Sequence, residues 1–237
     1  MRLLLLPALL AINLCAAAAE SEPLVDIDTS LGLIRVELAA DKAPETVSNF
    51  LAYVDDGFYD NTVFHRVIAN FMIQGGGFNQ QYQQKQTRPP IANEADNGLR
   101  NTRGSIAMAR TNDPHSATAQ FFINTVDNRA LDHQHKSASG WGYTVFGRVA
   151  QGMDVVDRIA ATRTQRAALN GYPAQDVPEV PIVIKSIRRV TADAGKASVT
   201  EEPAAADETD AADSANSATG PDNASSKTHP DAAAEAH

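Results

Sequence analysis

The sequence predicts a mainly β fold in which an antiparallel sheet closes into a barrel and two α-helices cover its ends. Three observations favour this class. Short apolar runs typical of strands follow one another along the chain, glycine-rich segments connect them, and only two stretches have the apolar spacing of a helix. Closing such a sheet on itself leaves no strand edge unpaired.

The first elements are a hairpin and a helix. Leu24 to Asp28 and Leu33 to Leu38 flank a turn at Gly32, and apolar and polar residues alternate in the second segment, as in a strand with one buried face. Pro44 suits the first turn of a helix. Apolar residues at the i, i+3, i+4, i+7 spacing follow from Val47 to Val54, and a glycine ends the helix soon after.

The remaining elements are short. A second helix is predicted from Met153 to Ile159, because its apolar residues share one face. Strands are predicted at Val63 to Ile68, Phe71 to Gln74, Ser105 to Ala109, Phe121 to Asn124, Thr144 to Val149 and Ile182 to Val190.

The N-terminal end of the 237-residue chain differs from this middle part. Residues 1–19 are expected to be a secretory signal peptide, with Arg2, an apolar run too short to cross a bilayer, and small residues at a cleavage site. We therefore expect a periplasmic protein. A buried N-terminal helix is one alternative. Lipid attachment at Cys15 is another, although Leu14 stands where that processing prefers a small residue.

Residues 192–237 are expected to form a disordered, acidic, alanine-rich tail. No Ile, Leu, Val, Met, Phe, Tyr or Trp follows Val199, so the segment cannot bury enough apolar surface to order itself. Its ten acidic and two basic side chains carry −8 of the formal net charge of −9. The folded domain, residues 20–191, is then nearly neutral, which gives no electrostatic basis for nucleic acid or a membrane as a partner.

Two segments carry the functional signal. FHRVIANFMIQGGGF (Phe64 to Phe78) and GSIAMARTNDPHSATAQFFIN (Gly104 to Asn124) place a few planar polar side chains among large apolar ones. Neither segment arranges an acid, a base or a nucleophile for bond-breaking chemistry. This composition favours a site that binds a peptide and twists it.

These segments, with LDH and YTVFGRV further along, resemble the cyclophilin-type peptidyl-prolyl cis/trans isomerases over Leu24 to Val190. NEADNGLRNTRG (Asn93 to Gly104), QGMDVVDRI (Gln151 to Ile159) and the signal sequence are similar to the bacterial periplasmic branch. The resemblance implies an eight-stranded barrel with two helices, action on X-Pro bonds and no cofactor. It implies proline-containing unfolded or nascent secreted polypeptides as partners. We expect a monomer with no membrane partner after signal removal.

The resemblance also implies roles for individual residues. Arg66 matches an arginine that donates to the prolyl nitrogen, Gln74 a glutamine that orients it, and Phe71 a third catalytic position. The walls of a proline pocket match Phe71, Met72, Phe122 and Leu131, closed by Tyr143. A neighbouring channel for the residues before the proline matches Ala109, Arg110, Thr111 and Gln120.

Three positions depart from the eukaryotic pattern of the family. Ala130 stands where those members have Trp, Tyr143 where they have His, and Arg110 where Asn is common. Tyr143 can still close the pocket. Loss of the indole at position 130 removes apolar area and an N–H donor, so we expect only weak binding of cyclosporin-type inhibitors.

Other interpretations have less support. His133 and His135 lack clustered Cys or carboxylate partners, so no metal site is expected. Gly75 to Gly77 lack the lysine and the helix of a phosphate loop, and are expected to allow tight packing or close approach of a substrate. Strand alternation predicts that His65 points away from the face of Arg66. A peptide-binding chaperone module with negligible turnover is the alternative function.

Overall fold

The computed structural model describes residues 22–190. Ten strands and two α-helices lie in that range: β1 Leu24–Thr29, β2 Gly32–Leu38, α1 Pro44–Asp55, β3 Thr62–Ile68, β4 Met72–Asn79, β5 Ser105–Met108, β6 Phe121–Asn124, β7 Val145–Gln151, α2 Met153–Ala160, β8 Thr164–Leu169, β9 Tyr172–Pro178 and β10 Ile182–Arg189. The predicted signal peptide and acidic tail lie outside the described residues. Within the described part, no helix is both long enough and apolar enough to cross a membrane.

Eight strands form one closed antiparallel barrel in the order β1-β10-β3-β4-β6-β5-β7-β2. The predicted fold class is confirmed. The predicted first hairpin is present, with Ile27 opposite Ile34 and Val25 opposite Val36. All four side chains are buried, because alternate residues of a strand face the same side of the sheet.

Both helices contribute side chains to the core inside the barrel. Helix α1 begins at a proline and buries Val47, Phe50 and Val54, and α2 buries Val156 and Ile159 in the same cluster. Aromatic rings fill the centre of that core, where Phe121 meets the rings of Phe50, Tyr59 and Phe64 edge-on at centroid distances of 5.7 to 6.1 Å. Edge-to-face packing is a favoured arrangement of aromatic pairs.

Alternation along the strands divides the apolar residues between two faces. On β6, Phe121 and Ile123 point into the barrel core, whereas Phe122 belongs to a second cluster outside it. On β4, Ile73 points inward and Met72 joins the same outer cluster. The barrel therefore carries an apolar patch on the outer face of β4, β5, β6 and β7.

Two features differ from the sequence-based expectation. Strand β4 continues past Gln74 to Asn79, through all three glycines. A separate hairpin of β8 and β9 was not predicted. Its strands contain few large apolar residues, but Asn170 and Gly171 at its turn have φ values of 50° and 85°. Positive φ at both central residues is typical of the Asn-Gly hairpin turn, so this dipeptide was the available signal.

Candidate active site

The site is built on the outer apolar cluster, which consists of Phe71, Met72, Ala107, Ala109, Phe122, Leu131, Tyr143 and Val145. Met72 and Phe122 are each 2% exposed, whereas Phe71, Leu131 and Tyr143 keep 8 to 9% exposure. The first two residues therefore form a floor, and the other three form its rim. Tyr143 meets Phe122 edge-on, with ring centroids 5.7 Å apart. The structure thus brings together the residues predicted to form the proline pocket.

Arg66 and Gln74 lie side by side next to this cluster. They are directly opposite each other in the pairing of β3 with β4, and Gln74 is in turn opposite Phe122 on β6. Gln74 is buried, and its Nε2 donates to Oε1 of Gln120 at 3.0 Å. A polar row of Arg66, Gln74 and Gln120 therefore borders the apolar floor.

The prediction for His65 is wrong because β3 has a bulge. Phe64 pairs with Gly75 and Arg66 with Gln74, so His65 is the extra residue and strand alternation is interrupted. Its ring packs against Phe78 at 4.6 Å. It lies close enough to Gln120 and Arg66 for both to influence its pKa, which places His65 beside the polar row.

Burial is the main cause that lowers the pKa of His65 to about 3, and the nearby charge of Arg66 lowers it further. His65 is therefore neutral at physiological pH. It packs beside the site as an uncharged ring and brings no charge to the row of Arg66, Gln74 and Gln120.

The three glycines of β4 leave space for neighbouring side chains, Gly77 for Gln120 of the polar row and the other two for aromatic rings of the core. A Cβ at Gly77 would lie 2.5 Å from Cγ of Gln120, and one at Gly75 would lie 2.9 Å from the ring of Phe64. Gly76 has a φ of 85°, and a Cβ there would lie 2.9 Å from the rings of both Phe121 and Tyr59. The tight-packing role expected for this segment is therefore present, and Gly77 fixes where Gln120 can lie.

The predicted channel adjoins both the polar row, through Gln120, and the cluster, through Ala109. The backbone N–H of Ala109 donates to the carbonyl of Gln120 at 3.0 Å. Ser116 Oγ accepts hydrogen bonds from both the N–H and the hydroxyl of Thr111, at 2.9 and 2.8 Å. The guanidinium of Arg110 lies over the ring of Tyr143, 4.4 Å from its centroid. Channel and pocket thus meet at Arg110 and Tyr143.

A buried asparagine network holds the rim, and the sequence analysis missed it. Asn128 Nδ2 donates to the carbonyl of Phe71 at 2.8 Å and to Oδ1 of Asn124 at 2.7 Å. Asn124 Nδ2 donates to Oδ1 of Asn101, and Nδ2 of Asn101 donates to the carbonyl of Leu131. The available sequence signal for this network was Asn124 at the end of a predicted apolar strand, since a buried amide requires hydrogen-bond partners.

Two histidines outside the barrel pack against a tryptophan. His115 and His133 contact the ring of Trp141 at centroid distances of 5.1 and 5.4 Å, and His133 Nδ1 lies 2.9 Å from the Trp141 carbonyl oxygen. Among residues 22–190, no group of three or more His, Cys, Asp or Glu side chains is arranged to hold a metal ion.

Comparison with known proteins places this site in context. Residues 24–189 match the family described as cyclophilin type peptidyl-prolyl cis-trans isomerase/CLD. Over 164 residues the chain is 59% identical to peptidyl-prolyl cis-trans isomerase cyp18 of Streptomyces antibioticus, covering 69% of this chain and 96% of that protein. It is 56% identical to peptidyl-prolyl cis-trans isomerase B of Escherichia coli (strain K12) over 164 residues, covering 69% and 98%.

A solved structure shows the same likeness. The crystal structure of a Cryptosporidium parvum cyclophilin type peptidyl-prolyl cis-trans isomerase, determined in the presence of the dipeptide Ala-Pro, gives a TM-score of 0.58 at 26% identity. The match covers 71% of this chain and 99% of that chain. The similarity therefore extends from the first strand of the barrel to the last.

Proposed function

The chain belongs to the cyclophilin-type peptidyl-prolyl cis-trans isomerases, and we propose that it performs this isomerisation at the polar row and outer apolar cluster, with Arg66 as the principal catalytic residue. The observation that carries the assignment is the pairing of Arg66 with Gln74 directly beside the apolar floor. An arginine fixed next to an apolar pocket suits a reaction in which a proline ring is held while the preceding carbonyl turns.

The physical task is rotation about a partial double bond. The barrier is about 18–20 kcal/mol because the nitrogen lone pair is delocalised into the carbonyl, and uncatalysed exchange takes roughly 10–100 s. A turnover of about 10³ s⁻¹ requires four to five decades of acceleration, or roughly 5.5–7 kcal/mol at 1.36 kcal/mol per decade. Preferential binding of the twisted state can supply this without a covalent intermediate.

Arg66 provides that preference. In the twisted state the prolyl nitrogen becomes pyramidal and regains its lone pair, so a fixed donor aimed at it binds this state more tightly than either planar isomer. The guanidinium is always charged and has planar, directional donors, which a lysine lacks. Gln74 lies beside Arg66 and is held in a fixed orientation by its hydrogen bond to Gln120.

The apolar cluster provides the grip on the proline ring. Met72 and Phe122 offer a buried floor, and Phe71, Leu131 and Tyr143 form the rim. Apolar contact restrains the ring without opposing rotation of the residue before it. Ala109, Arg110, Thr111 and Gln120 contact those preceding residues.

The proposed clients are proline-containing polypeptides that fold after secretion, in the periplasm. Support comes from the N-terminal apolar run with its small-residue cleavage site. Newly translocated chains reach that compartment unfolded, where X-Pro isomerisation limits their folding.

The mechanism is tested by Arg66→Ala, measured as catalysed cis/trans exchange of a short X-Pro peptide by NMR. We expect kcat/KM to fall by at least a hundredfold, since a transition-state donor is removed, while the melting temperature changes little. Arg166→Gln, a charge change on the separate β8–β9 hairpin, is the matched control and should retain full activity. An Arg66→Ala enzyme as active as the wild type would refute the mechanism. A wild-type protein that binds the peptide without accelerating exchange would indicate a binding module.

A further inference from the structure

Arg110 carries a charge that the proposed mechanism does not use. Its Nε donates to the carbonyl of Gly142 at 3.0 Å, and its Nη1 donates to the carbonyl of Thr111 at 2.8 Å. Both acceptors are neutral. No carboxylate among residues 22–190 forms an ion pair with Arg110, although ten other Lys and Arg side chains of that range do form such pairs.

The acidic side chains of the flanking loops are bound elsewhere. Asp113 Oδ1 accepts the backbone N–H of His115 at 2.9 Å, within its own turn. Asp132 Oδ1 accepts the backbone N–H of Asn101 at 2.7 Å. Neither carboxylate neutralises the guanidinium, which uses two of its five N–H groups in the two carbonyl bonds.

Arg110 is also fixed in place. Arg110 is a half-buried residue whose guanidinium lies over the ring of Tyr143, and that ring packs against Phe122 on the floor of the cluster. The carbonyl of Gly142 is held in turn by Asn93 Nδ2 at 3.2 Å. A guanidinium that is already ordered loses little freedom when it binds a carboxylate, which it can contact through two parallel N–H bonds.

We infer that Arg110 sets substrate preference: the site favours peptides with an acidic residue immediately before or after the proline. This inference rests on the proposed site, because Arg110 forms part of the edge of the proline pocket. A half-exposed ion pair has a modest effect, so we expect about a fivefold preference for Glu over Gln at the responsive position. The preference should decrease as salt is added, because mobile ions screen a half-exposed pair.

The experiment is a double-mutant cycle between enzyme and peptide, with NMR exchange as the readout. Four peptides carry Glu or Gln either before or after the proline, and each is measured with the wild type and with Arg110→Gln. The Glu/Gln ratio of kcat/KM within each enzyme removes the intrinsic effect of the peptide residue and any general loss of activity in the variant. Arg110→Lys, which retains the charge without the planar fork, should keep part of the preference. Arg166→Gln is the charge-matched control and should keep all of it.

A Glu/Gln ratio of about five at one of the two positions in the wild type, reduced to about one in Arg110→Gln, supports the inference. If the Glu/Gln ratios of the wild type and Arg110→Gln are equal at both positions, the inference is overturned. Arg110 is then a structural support of Tyr143. That failure is distinct from failure of the catalytic proposal, since the wild type would still accelerate exchange and Arg66→Ala would still lower kcat/KM by at least a hundredfold.

Discussion

Gly77→Ala tests whether the position of Gln120 controls the site. The added Cβ would lie 2.5, 2.6 and 2.8 Å from Cγ, Cδ and Nε2 of Gln120, well inside normal contact distance. The φ of Gly77 is not in the left-handed region, so the backbone accepts alanine and the strain falls on the glutamine. Gln120 must therefore swing away and release its 3.0 Å hydrogen bond from Gln74.

The expected cost follows from burial. Gln74 and Gln120 are 4% and 9% exposed, so the separated amides lose a bond that water replaces poorly. We expect about 1–3 kcal/mol of lost unfolding free energy from overpacking and the broken bond, and about a tenfold fall in kcat/KM. Urea denaturation and NMR exchange measure the two effects.

A second substitution separates the steric cause from a general defect of the strand. Gly77→Ala combined with Gln120→Ala removes the clash, so its loss of stability should be clearly smaller than the sum of the two single losses. Unchanged activity in Gly77→Ala, or strictly additive losses, would show that Gln120 is not held by this glycine.

Two further predictions concern the edges of the site. Ala130 is exposed and lies next to Leu131, so Ala130→Trp places an indole at the rim of the pocket. It should tighten cyclosporin-type inhibition about tenfold through added apolar contact and an N–H donor, whereas Ala130→Leu adds apolar area alone. An unchanged inhibition constant for the tryptophan variant would reject this explanation. The pKa of His65 in the folded protein, about 3, lies below its usual value. Below about pH 6.5 the unfolded chain therefore takes up a proton that the folded chain does not, and the free energy of unfolding decreases as the pH is lowered. Between pH 7 and 5, His65→Gln should lose about 2 kcal/mol less unfolding free energy than the wild type, because the titrating group is removed. Urea denaturation at each pH measures this, and parallel pH profiles of the two proteins would contradict the prediction.

Much of the barrel followed from local pattern. Alternation marked Ile34 and Val36 as one buried face of β2, and the i, i+3, i+4 spacing marked α1. Such signals are local because a strand or helix has a fixed period. The β8–β9 hairpin escaped prediction since its strands are mostly polar, and only the Asn170-Gly171 turn marked it.

The sequence by itself determined which residue types the site contains, because the motifs around Arg66 and Phe122 identify the family and supply an arginine, a glutamine and apolar walls in order. Only the tertiary structure decided how these residues meet. The bulge that puts His65 beside Arg66, the Gly77 contact that positions Gln120, and the stacking of Arg110 on Tyr143 all join segments distant in the chain or break strand alternation. The physical reason is that periodicity gives each side chain a face, whereas contacts across the sheet depend on register and on the space left by neighbouring strands.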